Sequence, residues 1–378
     1  NQLRLRPGVY VRKRVNGEIE AHYNLRSGTG SGFRVEINPQ SGLFNLRLGT
    51  LNAPLYPFMK ALGVSDNKLE SVWGPKLLEI NKAKDVPITK FYDKLIMFKS
   101  PNATDEDKVK EIVKVFHNAK MDKDVNMATL IKPYDTVTGD VILDSTKHIL
   151  AVSKGEEEDI YRDSMLFKTI HSAEDFYNEK ITKDAGKLGQ SLISRIERKK
   201  SLSPFIPGYF TKQLWGVIKS NPTVSPQGTL SQPLEEINPI DMYDQLHKVT
   251  ILGEGGIGSI REVTLEARNV HPSEFGFIDN VRTPESFNVG IDKRTAYGTK
   301  KGSDNQLYKD FVNAKTGKKE WLNPLQVADN IIAFPGEWES SKKQVDAIQN
   351  GKQIQVDRKD IDYYLPTAFE QFSTYDNL

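Results

Sequence analysis

Apolar and polar residues alternate from Phe33 through Val35 to Ile37 and again from Phe44 through Leu46 to Leu48, with Asn38-Pro-Gln-Ser-Gly42 between them. A period of two on both sides of a turn predicts a hairpin with one buried face. A helix is predicted near Pro54 to Leu62, and Tyr56, Phe58 and Trp73 read as core aromatics, since rings of that size dominate burial. Thr104-x-x-Asp107 has the form of a capping box ahead of Val109, Ile112, Val113 and Phe116, which repeat at helical spacing. Ser172-x-x-Asp175 opens a second helical region, in which Leu188, Leu192, Ile193 and Ile196 are expected on one side. The acidic run Glu156-Glu-Glu-Asp159 reads as a solvated helix start, because no histidine or second carboxylate pair stands at metal-ligand spacing from it. Further on, Tyr308 to Leu322 predicts a hairpin around Ala314-Lys-Thr-Gly317, and Ile331-Ile-Ala-Phe334 a buried strand. Helices and antiparallel pairs in separate runs give the class: α+β, multidomain.

Composition narrows this picture. A chain of 378 residues has room for more than one core. Without a single cysteine it has no disulfides, thiolate zinc sites or cysteine nucleophiles. A net charge of +2 and a pI of about 8.4 are far from a uniformly basic protein, so any contact with nucleic acid must come from local clusters. No apolar run approaches the roughly 20 residues of a membrane span, and a soluble chain is expected.

The richest local chemistry lies between Leu230 and Ile291. Gly253-Glu-Gly-Gly-Ile-Gly258 and Thr283-Pro-Glu285 form two pivots, with Lys248, Arg261, Arg268 and Arg282 beside them. Such loops allow backbone to approach a ligand closely. The glycines satisfy G-x-G-x-x-G after Val249-Thr-Ile-Leu252, but a dinucleotide site needs a helix next. Here Arg261 to Arg268 alternates at period two, with β-branched residues at Val263 and Thr264, and predicts a strand. A kinase loop would be followed by a strand, yet no H-R-D or D-F-G motif accompanies it.

Asn269-Val-His-Pro272, Phe275-Gly276, Thr283-Pro-Glu285, Asn288 and Gly290 resemble, in order, a segment of the beta subunit of multisubunit DNA-directed RNA polymerases. Leu230-Ser-Gln232, Asn238-Pro239 and Gly253-Glu-Gly-Gly256 fall on that family's fork region and rifamycin pocket, and Gln2-Leu3 and Pro7-Gly-Val9 on the end of its first domain segment. Arg282 stands where the family has glutamate, and Ser286-Phe287 replaces its Gly-Pro. The resemblance implies a division into residues 1–20 (end of the first protrusion segment), 21–180 (lobe-like domain) and 181–228 (return of the protrusion). Residues 229–293 would form a mixed fork region, entered by a loop over 221–233, and 294–378 a β-rich segment leading toward a C-terminal half.

Carried over by position, Gln232, His247, Lys248 and Arg261 would face RNA or its initiating nucleotides, Arg268 would support the fork, and Glu285 and Asn288 would lie near the incoming nucleotide. Other readings stay open. Arg268 serves equally as a partner for an internal carboxylate, and His271 reads as a structural donor in a tight loop. Lys293-Arg294 and Lys300-Lys301 are expected to continue the basic character in a loop. The rifamycin-pocket equivalents are Gln232, Pro233, Glu235, Gln245 and Thr250. The last four stand where a sensitive enzyme has Phe, Asp, His and Ser, so rifampicin insensitivity is expected.

No Asp-x-Asp-x-Asp cluster is present. The resemblance therefore implies a nucleotidyltransferase subunit inactive alone, with no metal site of its own, shaping a cleft whose Mg2+ is bound by a beta-prime-like chain. Expected partners are that chain, a C-terminal beta fragment, a possible promoter-specificity subunit, template DNA, RNA and nucleoside triphosphates. No membrane partner is expected. Two origins fit: an expression fragment, or a split subunit of a large-bacteriophage polymerase, the reading preferred here, which implies the cytoplasm of an infected bacterium. The alternative function is a freestanding nucleic-acid-binding or regulatory protein with a beta-like fork.

Overall fold

In the computed structural model, residues 1–14, 16–96, 104–200, 234–253 and 255–366 are described. The 221–230 stretch, Gln232, Pro233, Glu254 and the side chain of Leu188 lie outside them. The chain forms two compact units, one of Arg6–Arg162 and one of Asn1–Leu5 with Asp163–Leu378.

The first unit is built on a five-stranded antiparallel meander of Gly8–Lys13, Ile19–Asn24, Phe33–Ile37, Phe44–Leu48 and Leu51–Pro54. The turn between the third and fourth strands forms because the Asn38 side-chain oxygen accepts from the N–H groups of Gln40 (2.9 Å) and Ser41 (3.1 Å). One face carries Val9, Val11, Ala21, Tyr23, Val35, Phe44 and Leu46, all fully buried under helices that supply Phe58, Trp73, Phe116 and Ile149. Trp73 stacks on Phe44 at 4.8 Å and donates its indole N–H to Thr146 Oγ1 at 2.8 Å. Tyr56, Phe58 and Trp73 are core residues, as expected. The helix Asp105–Asn118 begins in the expected capping box, with both the Thr104 and Asp107 halves formed.

The opposite face of the meander is ionic. Glu20 is fully buried there beneath Arg12 (2.7 Å), Arg14 (3.6 Å) and Arg34 (3.7 Å). His22 shares this layer, paired in register with Tyr10 and Arg34.

The acidic run does not start a helix. The helix Gly139–Lys154 ends at Gly155, whose φ of +75° makes it a left-handed cap, and residues 156–159 follow that stop. Glu157 then pairs with His148 (2.6 Å), and Asp159 accepts from the Lys13 N–H (3.3 Å).

The second unit holds two sheets. In the five-stranded one, the order is Lys168–His171, Gln2–Leu5, Lys248–Thr250, Asp292–Thr295, Ile278–Asp279. The amino-terminal strand thus lies beside the strand Lys248–Thr250 of the 229–293 region, with Gln2 opposite Thr250. The seven-stranded sheet contains the predicted hairpin, Leu307–Asn313 with Lys319–Leu322, and the short buried strand Ile332–Ala333. Helix Ala173–Lys199 starts where the Asp175 carboxylate accepts from the Ser172 N–H at 2.9 Å. Its apolar stripe is narrower than predicted, because Ile193 is exposed while Leu192 and Ile196 are half-buried.

The basic pairs after residue 292 are not in a loop. Lys293-Arg294 and Lys300-Lys301 both lie in strands, and three of the four are held by carboxylates far away in sequence. Lys293 pairs with Glu274, Arg294 with Asp244, and Lys301 with Glu174 and Asp175.

Candidate nucleic-acid interface

Residues 234–250 form a helix leading into a strand. Asn238 caps the helix Pro239–Leu246, its side-chain oxygen accepting from the Asp241 N–H at 2.8 Å, and Pro239 fits the first turn, where no N–H is needed. Both N–H groups and the oxygen of the Gln245 amide are hydrogen-bonded. The amide accepts from the Glu235 N–H and donates to the Glu235 carbonyl, both at 3.0 Å, and donates again to Asp241 at 2.7 Å. His247 ends the helix, its Nδ1 donating to the Tyr243 carbonyl at 3.0 Å. Lys248 lies 3.1 Å from Asp292 across the sheet, and Thr250 accepts from the Leu252 N–H at 3.2 Å.

The glycine loop that follows is occupied by the chain itself. Gly255 has φ +85°, and a Cβ there would fall 2.4 Å from Arg4 Cζ. At Gly256 a Cβ would fall 2.8 Å from Gln2 Nε2, which donates to the Leu252 carbonyl at 2.9 Å. Arg4 in turn donates to Gln2 (2.7 Å) and Glu179 (2.6 Å) and lies over the Phe176 ring. The absence of glycine side chains here admits an arginine and a glutamine from the amino-terminal strand, rather than leaving a cradle for a ligand.

The strand predicted over 261–268 does not form. Two 3-10 turns, Ile260–Glu262 and Glu266–Arg268, take up its ends, and only Val263 is buried while Leu265 is 82% exposed. Alternation signals a strand only when one face meets a core, and here Val263 and the half-buried Ala267 reach the small cluster with Leu252 and Ile291 while Leu265 between them does not.

Among the described residues, Arg268 binds no carboxylate. Its guanidinium donates to the backbone carbonyls of Phe287 (2.7 Å), Val289 (3.2 Å) and Ile260 (3.3 Å), tying the 260–268 turns to the 283–291 loop. Gly290, with φ +70°, sits directly on Arg268, and its N–H donates to Thr283 Oγ1 at 2.9 Å. The Asn288 carbonyl accepts from the Ile291 and Asp292 N–H groups, and Glu285 is exposed. His271 accepts rather than donates toward the backbone: its Nδ1 receives the Ser273 N–H at 3.2 Å.

The structure therefore gathers Arg268 with the loop carrying Glu285 and Asn288, and Glu235 with Gln245. It leaves Arg261 exposed, with no side-chain hydrogen bond or ion pair among the described residues. Sequence reasoning missed Arg4, Asp244, Glu274 and the pairing of Lys293 and Arg294. Asp244 is 2% exposed and carries Arg294 at 3.0 Å and Arg282 at 3.5 Å. No local signal marks these pairs, since their members lie 19 to 175 residues apart.

Residues 232–299, which include these turns and loops, match the family model of RNA polymerase Rpb2, domain 3. In sequence, the chain is beta-subunit-like. It is 29% identical over 158 residues to a DNA-directed RNA polymerase subunit beta N-terminal section from Stigeoclonium helveticum, covering 41% of this chain and 22% of that relative. It is 31% identical over 131 residues to the beta subunit of Aquifex aeolicus (34% of this chain, 8% of the relative). With that of Guillardia theta the likeness extends over 319 residues at 23% identity (77% of this chain, 28% of the relative). The chain thus spans less than a third of the length of these relatives. No described helix is long and apolar enough to cross a membrane.

Proposed function

We propose that the chain is part of the beta subunit of a multisubunit DNA-directed RNA polymerase, where it shapes the active-site cleft and contacts template DNA, RNA product and incoming nucleotide. The observation that carries this reading is the family match over 232–299, which coincides with a loop system braced from within by Arg4 and Arg268. Lys248 and Arg268 have internal partners, which leaves Arg261 as the cation best placed to meet a phosphate. His247, Glu285 and Asn288 complete the surface that would face nucleotides, with Gln232 joining from outside the described residues. In this reading the chain is a split subunit of a phage-encoded enzyme acting in the infected cytoplasm. Its partners are a C-terminal beta fragment, a beta-prime-like chain that holds the Mg2+, and a possible specificity subunit.

Purification from the natural source tests the assignment. The chain should migrate with several large partners, one bearing the metal-binding aspartates, whereas isolation as a single species would favour the freestanding nucleic-acid-binding reading. In the reconstituted enzyme, Arg261→Ala should weaken nucleic-acid binding about tenfold and lower the slope of log K against log salt by about one. An unchanged slope would remove Arg261 from the phosphate path. Rifampicin should not inhibit this enzyme at concentrations that stop sensitive ones. Both N–H groups of the Gln245 amide are already engaged, with Glu235 and Asp241, so it has no free donor for the drug.

A further inference from the structure

We propose that a small cavity beneath the Gly290 turn is a binding site for one ordered water molecule, held between the buried Lys293–Glu274 ion pair and the half-buried Lys168–Asp163 pair. The cavity measures about 20 Å³ and is lined by Asp163, Lys168, Glu274 and Lys293, with Ala267 and Gly290 among its other walls. Lys293 Nζ lies 2.6 Å from Glu274 Oε1, and Lys168 Nζ lies 2.7 Å from Asp163 Oδ1. The Glu274 side chain is 8% exposed, and its second oxygen, Oε2, is buried with no hydrogen-bond partner among the described residues.

A carboxylate oxygen in that position needs a donor, because leaving it unmatched costs about 1–3 kcal/mol or more for a charged group. Three features fix the donor's identity. The volume admits a molecule of one heavy atom, since a water needs roughly 10–15 Å³ by this measure. The four charges lining the cavity cancel, so no net field retains a free ion. Lys293 uses one of its three N–H groups on Glu274 Oε1, and an ammonium beside the cavity requires a guest that can accept as well as donate. A water molecule meets all three conditions, donating to Glu274 Oε2 and accepting from a lysine Nζ. Burial acts to raise the Glu274 pKa and Lys293 acts against it, and a water donor adds to the side that keeps the carboxylate ionised.

A crystal structure of the chain near neutral pH, at a resolution that shows internal waters, should contain one within hydrogen-bonding distance of Glu274 Oε2 and of a lysine Nζ. An empty cavity in a map that shows other internal waters overturns the proposal. Thermal unfolding gives a second readout that needs no crystal. Ala267→Val narrows the cavity, so it should lower Tm by a few degrees if a bonded water is expelled, and should leave Tm unchanged or raised if the space is dry. In a Glu274→Leu, Lys293→Met background the same substitution should lose its cost. A cost that persists there is overpacking and counts against the water.

Discussion

Gly290→Ala is expected to lower the stability of the unit containing the 283–291 loop by about 3 kcal/mol or more, combining a left-handed backbone cost of roughly 1–2 kcal/mol with a clash. A Cβ at this position falls 2.2 Å from the Arg268 carbonyl oxygen and 2.9 Å from the Arg268 carbonyl carbon and Cα. These are backbone atoms, so no rotamer change relieves the contact. Moving Arg268 disturbs the guanidinium that holds the Phe287 and Val289 carbonyls, and moving Gly290 breaks its bond to Thr283. Gly336→Ala is the matched control, because its φ of +82° carries similar strain while nothing lies within 4 Å of its Cβ. Urea unfolding should therefore show a small loss for the control and a much larger one for Gly290→Ala. Hydrogen exchange should rise first at residues 283–291. Equal losses in the two variants would mean that the turn and Arg268 do not pack as described.

Why that contact is invisible in the sequence bears on how much else could be read there. Elements whose cause is local were legible: the Phe33–Leu48 hairpin from alternation around an Asn turn, the helices after Thr104 and Ser172 from their capping residues, and the Leu307–Leu322 hairpin. Local signals also explain one miss, since Lys154-Gly155 is a helix stop that outweighs the acidic run behind it. The remaining misses are long-range. Glycines at 255 and 290 announce that something comes close, but whether it is a ligand, Arg4 or the Arg268 backbone depends on topology. Likewise a run of basic residues reads as a surface for phosphate until Asp244 and Glu274 are found opposite Arg294 and Lys293. Of the candidate contacts, the structure gives Lys248 and Arg268 internal partners and leaves Arg261 exposed, which concentrates the functional test on one side chain.

The second large effect is a loss of stability in mild acid centred on His22 in the other unit. Burial, helped by the Arg162, Arg34 and Arg12 guanidinium groups, holds the His22 pKa down to about 3, against 6.5 for an ordinary histidine. The folded chain thus keeps the ring neutral through a pH range in which the unfolded chain protonates it. With the folded pKa depressed, stability is complete above about pH 6.5 and falls as the pH drops toward 3, where the loss levels off. At about 1.4 kcal/mol per pH unit, this difference amounts to a loss on the order of 5 kcal/mol. Glu20 lies in the same layer and holds Arg12, Arg14 and Arg34 in place, so these arginines cannot readily withdraw to make room for a fourth positive charge. Denaturant titrations of the intact chain between pH 7.5 and 4 should show the midpoint of this unit moving down steadily below pH 6.5. His22→Gln, which cannot take up a proton, should remove most of that slope. A slope between pH 6.5 and 5 that survives the substitution would take the acid sensitivity away from His22, since carboxylates such as Asp66 and Asp107, whose pKa values are lowered by hydrogen bonds from Lys82 and Thr104, contribute only at lower pH.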